Sequence, residues 1–165
     1  MKRFFKLFGW SLLIALIVIQ FFQPDMNASP AYSGHRVTDR YKVPDDVHDI
    51  LYTSCYDCHS NNTRPMFYMR IQPIGWWIAH HIEEGKAELN FDEFGTYPLR
   101  VQYHKLEEIV EVTEEGEMPL SSYTLIHSDA KLSDKQKEAL VHWATTIIDT
   151  LEAQYPKDSL EFKKQ

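Results

Sequence analysis

The sequence predicts an all-α domain, and three observations carry that expectation. Four stretches, 44–58, 73–88, 99–115 and 133–151, place apolar residues at a helical period. Polar, proline- or glycine-containing segments separate them. A compact motif, Cys55-Tyr56-Asp57-Cys58-His59, closes the first stretch and gives the helices something to surround. At 165 residues the chain is one domain with an appendage.

Residues 1–24 are that appendage. Lys2, Arg3 and Lys6 form a basic head, and Leu7 to Phe22 is an uncharged, mostly apolar run. That run would be about 24 Å long as a helix, or about 28 Å counted from Phe4 with Lys6 snorkelling, against a hydrocarbon core of roughly 30 Å. The segment therefore reads as a single-pass membrane anchor with its cations on the cytoplasmic side, sending the rest across. A cleaved signal is the alternative, with Ser29-Pro30-Ala31 as the best small-residue site, and would leave a soluble periplasmic domain. Residues 25–43, with prolines, Gly34 and no sustained period, read as a tether. Residues 44–153 then form the domain, and 154–165 a polar tail.

The first domain helix starts at Pro44, with Asp45 and Asp46 suited to the positive end of its dipole. Val47, Ile50, Leu51, Ser54 and Cys58 share one face, so the helix runs into the Cys-x-x-Cys-His motif. That motif is the attachment signal for c-type haem. Two thiols one turn apart form thioethers to one porphyrin edge, which assigns Cys55 and Cys58. His59, directly after, would bind iron as proximal ligand. A structural zinc site would need a second pair of ligands, and Cys55 and Cys58 are the only cysteines. A dithiol redox pair would sit in a βαβ pattern that the sequence lacks. With no disulfide available, one covalently held haem c would also staple the domain.

Ser60 to Gln72 reads as a loop around the porphyrin, with Arg64 or Arg70 as propionate partners or as solvated surface arginines. The helix over 73–88 carries Ile74, Trp77, Ile78, His81, Ile82 and Gly85 on one stripe. His81 is thus an alternative distal iron ligand or a core histidine bonded to a carbonyl. Trp76 and Trp77 are ring-packing candidates, with ordinary core burial the simpler role. The helix over 99–115 turns Leu106, Ile109, Val110 and Thr113 inward. Met118 follows on a turn, in Gly116-Glu117-Met118-Pro119-Leu120, 59 residues beyond His59. A thioether there, followed by proline, is placed to be the distal haem-iron ligand. His127 falls in a polar loop and is expected to be exposed. The closing helix opens at Ser133 with Gln136 three residues on, a capping box, and buries Leu140, Trp143, Ala144, Ile147, Ile148 and Leu151.

The order of helix, motif, two helices, Met turn and closing helix resembles single-haem class I cytochromes c. More specifically, Ser54–Asn61, Ile71–Lys86, Leu89-Asn90-Phe91, Gly116–Pro119 and Leu125-Ile126-His127 resemble the small membrane-anchored bacterial haem-binding domain family, over roughly residues 44–150. The resemblance implies covalent haem c in a cytochrome-c-like helical fold. One departure is visible: the family's Trp-Pro-Trp-Tyr run is Arg64-Pro65-Met66-Phe67-Tyr68 here, so both indoles are replaced.

Charge narrows the partners. Beyond residue 24 the chain has 14 basic against 24 acidic residues, a net charge of −10. That argues against a nucleic-acid surface and against docking on anionic lipid, and suits a basic redox partner or simple solubility. The expectation is a membrane-tethered, periplasm-facing monohaem protein that passes single electrons, by default a carrier rather than a catalyst, since a His–Met pair leaves no open coordination position. A haem-based sensor or small-ligand binder, with Met118 displaced or absent from the iron, is the alternative. A peroxidase would need His81 as its distal acid–base group.

Overall fold

The computed structural model describes residues 1–29 and 31–162, and among them the chain is helical, with no strand and a single bridge, Ala28 to Asn62. The elements are α1 (Lys2–Ile19), α2 (Val37–Arg40), α3 (Asp45–Ser54), α4 (Tyr56–His59), α5 (Ile74–Glu88), α6 (Leu99–Glu115), α7 (Ser121–Thr124), α8 (Asp134–Gln154) and α9 (Lys157–Leu160). Short 3-10 turns occupy Phe67–Arg70, Phe94–Thr96 and Ser128–Ala130.

The core forms where the apolar stripes of α3, α6 and α8 meet. Val47, Ile50 and Leu51 come from α3, Tyr103, Leu106 and Ile109 from α6, and Leu140, Trp143, Ala144, Ile147 and Leu151 from α8. The capping box at the start of α8 is formed as the sequence predicts, with Ser133 and Gln136 bonded reciprocally. Helix α6 ends at Gly116, whose φ of 74° is the left-handed turn that releases the chain toward Met118. Trp143 ties α8 to the segment ahead of α3 by donating its Nε1–H to the Lys42 carbonyl at 3.1 Å.

Several expectations need correction. The first domain helix does not run through the motif: it stops at Ser54, Cys55 takes φ −124°, and Tyr56–His59 forms a separate turn. Residues 25–43 are not a free tether. Asn27 bonds the Ser60 carbonyl and the Thr63 hydroxyl, Val37 is buried beside Phe91, and Tyr41 bonds Gln102, so the stretch packs into the domain. The tail is not wholly frayed either, because Leu160 is buried where α9 packs on α6, while 163–165 lie outside the described residues. Trp76 and Trp77 are exposed, since α5 lies on α4 and the 67–70 turn rather than in the main core.

Among the described residues no helix is long and apolar enough to cross a membrane. Helix α1 has 18 residues, about 27 Å at helical rise, and Lys2, Arg3 and Lys6 occupy its first turns. A spanning anchor made by α1 alone is therefore not supported. None of its residues is buried against the domain.

Candidate functional site

The Cys-x-x-Cys-His turn is built by one carbonyl. Cys55 O accepts from the Cys58 N–H at 3.2 Å and from the His59 N–H at 3.0 Å, wrapping the five residues into a single tight turn. Helix α5 crosses directly against it. A Cβ at Gly85 would sit 2.9 Å from the Cys58 carbonyl oxygen, so only glycine allows that approach.

His59 is clamped by the connection after α5. Its Nδ1 lies 3.0 Å from the Leu89 carbonyl, and its own carbonyl accepts from Phe91 N–H at 2.8 Å. A carbonyl only accepts, so Nδ1 carries the proton and Nε2 keeps its lone pair. This is how a metal-binding imidazole is oriented, by a second partner that fixes tautomer and ring plane. Burial also lowers its pKa, which favours the neutral, ligating form. Burial acts oppositely on the thiols, pushing Cys55 up to about 12 and Cys58 up to about 11. They are protonated at neutral pH, unlike the activated thiolate of a dithiol redox motif.

These groups line two adjoining cavities. A cavity of about 360 Å³ is lined by Cys55, Cys58, His59, His81, Met118 and Tyr123, among others. A second of about 510 Å³ shares Cys55, His59 and Met118 with it and extends along α6 to Ile109 and Val112. Space of that size, with an apolar lining, is what a flat macrocycle requires. The structure thus brings together all five sequence-selected residues: Cys55, Cys58, His59, His81 and Met118. Met118 is 37% exposed, on the loop between α6 and α7. His81 also has its Nδ1 engaged, 3.0 Å from the Trp77 carbonyl, so its Nε2 is uncommitted as well. No group of three or more His, Cys, Asp or Glu side chains placed to hold a metal ion occurs among the described residues, which leaves the zinc reading without a donor set.

The second variable residue of the motif has a role that its sequence position did not reveal. Asp57 is buried, 4% exposed, and its carboxylate accepts from Arg64 N–H, Nε and Nη2 at 2.8–3.2 Å. Tyr123 of α7 donates to the same carboxylate at 2.5 Å and accepts from Arg64 Nη2 at 3.0 Å. Burial and the Asp57 hydrogen bond raise the Tyr123 pKa, which keeps the phenol a donor. Hydrogen bonding to Asp57 likewise raises that of Arg64. Arg64 is therefore committed to Asp57, within the protein, which is neither of the roles expected for it. The network joins the turn carrying His59 to the loop carrying Met118, five residues before Tyr123.

His127 is also more enclosed than expected. Its ring stacks on Tyr123 at 4.5 Å and meets the Tyr68 hydroxyl through Nε2. Sequence periodicity could not find Asp57, Tyr123 or the Leu89 carbonyl, because each acts across long sequence separations. The one available signal was an acid inside a motif otherwise devoted to sulfur and imidazole.

A protein-family model described as a haem-binding domain matches residues 14–146. Comparison with curated proteins and with solved structures returns no significant match.

Proposed function

The chain belongs to the haem-binding domain family, and within it we propose a c-type, single-haem electron carrier. Haem is its cofactor; the covalent linkage, the ligands and the role are what this reading adds. Cys55 and Cys58 would hold the macrocycle through thioethers, with His59 as proximal ligand and Met118 as distal ligand. Bound there, the haem iron would supply a one-electron couple. The observation that carries the reading is the His59 imidazole, which Leu89 holds at Nδ1 so that Nε2 stays uncommitted, in a residue that lines the same cavity as Met118.

The chain's own residues do the rest. Leu89 and Phe91 orient His59, Gly85 lets α5 close over Cys58, and Asp57, Arg64 and Tyr123 tie the Met118 loop to the motif. The acidic residues Glu88, Glu108, Glu111, Glu115 and Glu117 border the second cavity, which would favour a basic redox partner at that edge. The basic head and exposed apolar body of α1 support attachment to the bacterial inner membrane with the haem domain on the periplasmic side, or export of a soluble form after cleavage. The exposure of Met118 favours one second reading, a ligand-binding haem protein in which the thioether is displaced.

The test is the ferric absorption spectrum of the haem-loaded chain, wild type and Met118→Ala. The carrier reading expects a weak far-red sulfur-to-iron band that the substitution abolishes, and resistance of the ferrous protein to carbon monoxide. A low-spin spectrum without the band, unchanged by the substitution, would remove Met118 and bring His81 forward. A high-spin wild-type spectrum would favour ligand binding.

A further inference from the structure

Helix α1 leaves the domain at a fixed corner, not from a loose linker. Gln20 bonds Gln72 in both directions, its Nε2 to the Gln72 carbonyl at 3.0 Å and its Oε1 from Gln72 N–H at 2.9 Å. Gln23 donates to the Arg70 carbonyl at 3.2 Å, and Trp76 Nε1 donates to the Phe22 carbonyl at 2.7 Å. The domain surface at this corner is apolar and open: Phe67 is 81% exposed, Trp77 50%, and Ile71 and Ile74 45% each. Ile126, 65% exposed, joins the same side, since it shares a cavity lining with Trp77.

Charge marks the same corner. The chain has 24 acidic residues, yet none lies in 1–24 or in 58–82, the two runs that meet at Gln72. Arg70 is exposed there. Although the domain as a whole is acidic and Asp25 and Glu83 border these stretches, the stretches themselves bring aromatic and branched aliphatic side chains with an arginine among them, which matches the interfacial layer of an anionic bilayer. It also answers the shortness of α1. A helix of about 27 Å that begins with three cations falls short of a bilayer's apolar thickness if the domain stands off in water.

We propose that the face formed by Phe67, Ile71, Ile74 and Trp77 rests directly on the lipid surface, seating the domain at the interface beside the end of α1. The proposal rests on α1 being lipid-inserted. It makes the domain's orientation on the membrane fixed, with the 67–77 face down and α8 elsewhere.

The test is photolabelling of the full-length, haem-loaded chain in vesicles of phosphatidylethanolamine and phosphatidylglycerol. One lipid probe carries a carbene precursor at headgroup depth, and a second carries it in the acyl chain. Adducts are mapped by mass spectrometry against the exposed α8 residues His142 and Thr146 as background. The headgroup probe should label Phe67, Ile71, Ile74 and Trp77 well above that background while the acyl probe labels α1, and Phe67→Asp with Trp77→Asp should bring Ile71 and Ile74 down to it. Labelling of α1 with the face at background would overturn the seat and leave the anchor standing. Background labelling of both would remove the anchor together with the seat.

Discussion

Replacing Tyr123 by Phe isolates the network that joins the Cys-x-x-Cys-His turn to the Met118 loop. Phe keeps the ring that stacks on His127 and removes the hydroxyl alone. Two hydrogen bonds vanish, the 2.5 Å bond to Asp57 and the 3.0 Å bond from Arg64. Each involves an ionised group, and such bonds contribute about 1.5–3 kcal/mol. Asp57 keeps its three donors from Arg64, so the carboxylate is not stranded and the loss falls at the low end, about 3 kcal/mol in total. For a chain of this size that lowers the midpoint of thermal unfolding by about 6–12 °C. Thermal unfolding of haem-loaded wild type and Tyr123→Phe measures it. The same variant should weaken the sulfur-to-iron band, because the loop it releases carries Met118. A midpoint within about 1 °C of wild type, with the band intact, would refute the idea that this network holds the loop.

Gly85→Ala should cost about 1–3 kcal/mol and lower the yield of haem-loaded protein, because the new methyl meets the Cys58 backbone at 2.9 Å. Gly9→Ala, which meets nothing within 4 Å, serves as the control with both quantities unchanged. Alkaline stability should fall between pH 10 and 12, because burial raises the Tyr56 pKa from 10.0 to about 12. The unfolded chain loses its phenolic proton first, so the contribution is complete below pH 10 and is lost as pH rises toward the folded value. Chemical denaturation across that range should show a shallower fall for Tyr56→Phe than for wild type.

The fold was largely readable because helices announce themselves by period. The stripes of α6 and α8 are buried where Leu106, Ile109, Leu140 and Trp143 predicted, and the Ser133–Gln136 box marks the start of α8. The reading failed where the period carried no information about what lies opposite. Ile74 and Trp77 stand on a genuine helical stripe, yet much of it faces solvent, and amphipathic spacing cannot tell a core-facing side from one exposed at the surface. The break at Cys55 was hidden because Ser54 and Cys58 continue the spacing across it. At the site, the residues singled out for their chemistry do line one cavity. The residues that hold them in place were not legible. Leu89 acts through a backbone carbonyl that any residue carries, and Asp57 finds its phenol 66 positions away.

Covalent haem on Cys55 and Cys58, with His59 on the iron, is the central proposal for this domain. Intact mass under denaturing acid–organic conditions, for the full chain matured with a haem c attachment system, addresses it most directly. The wild-type chain should retain the mass of one haem after extraction, and the Cys55→Ala, Cys58→Ala double variant should lose it. A wild-type chain that extracts to its bare polypeptide mass would contradict the proposal, leaving a haem-binding domain without the thioether bonds.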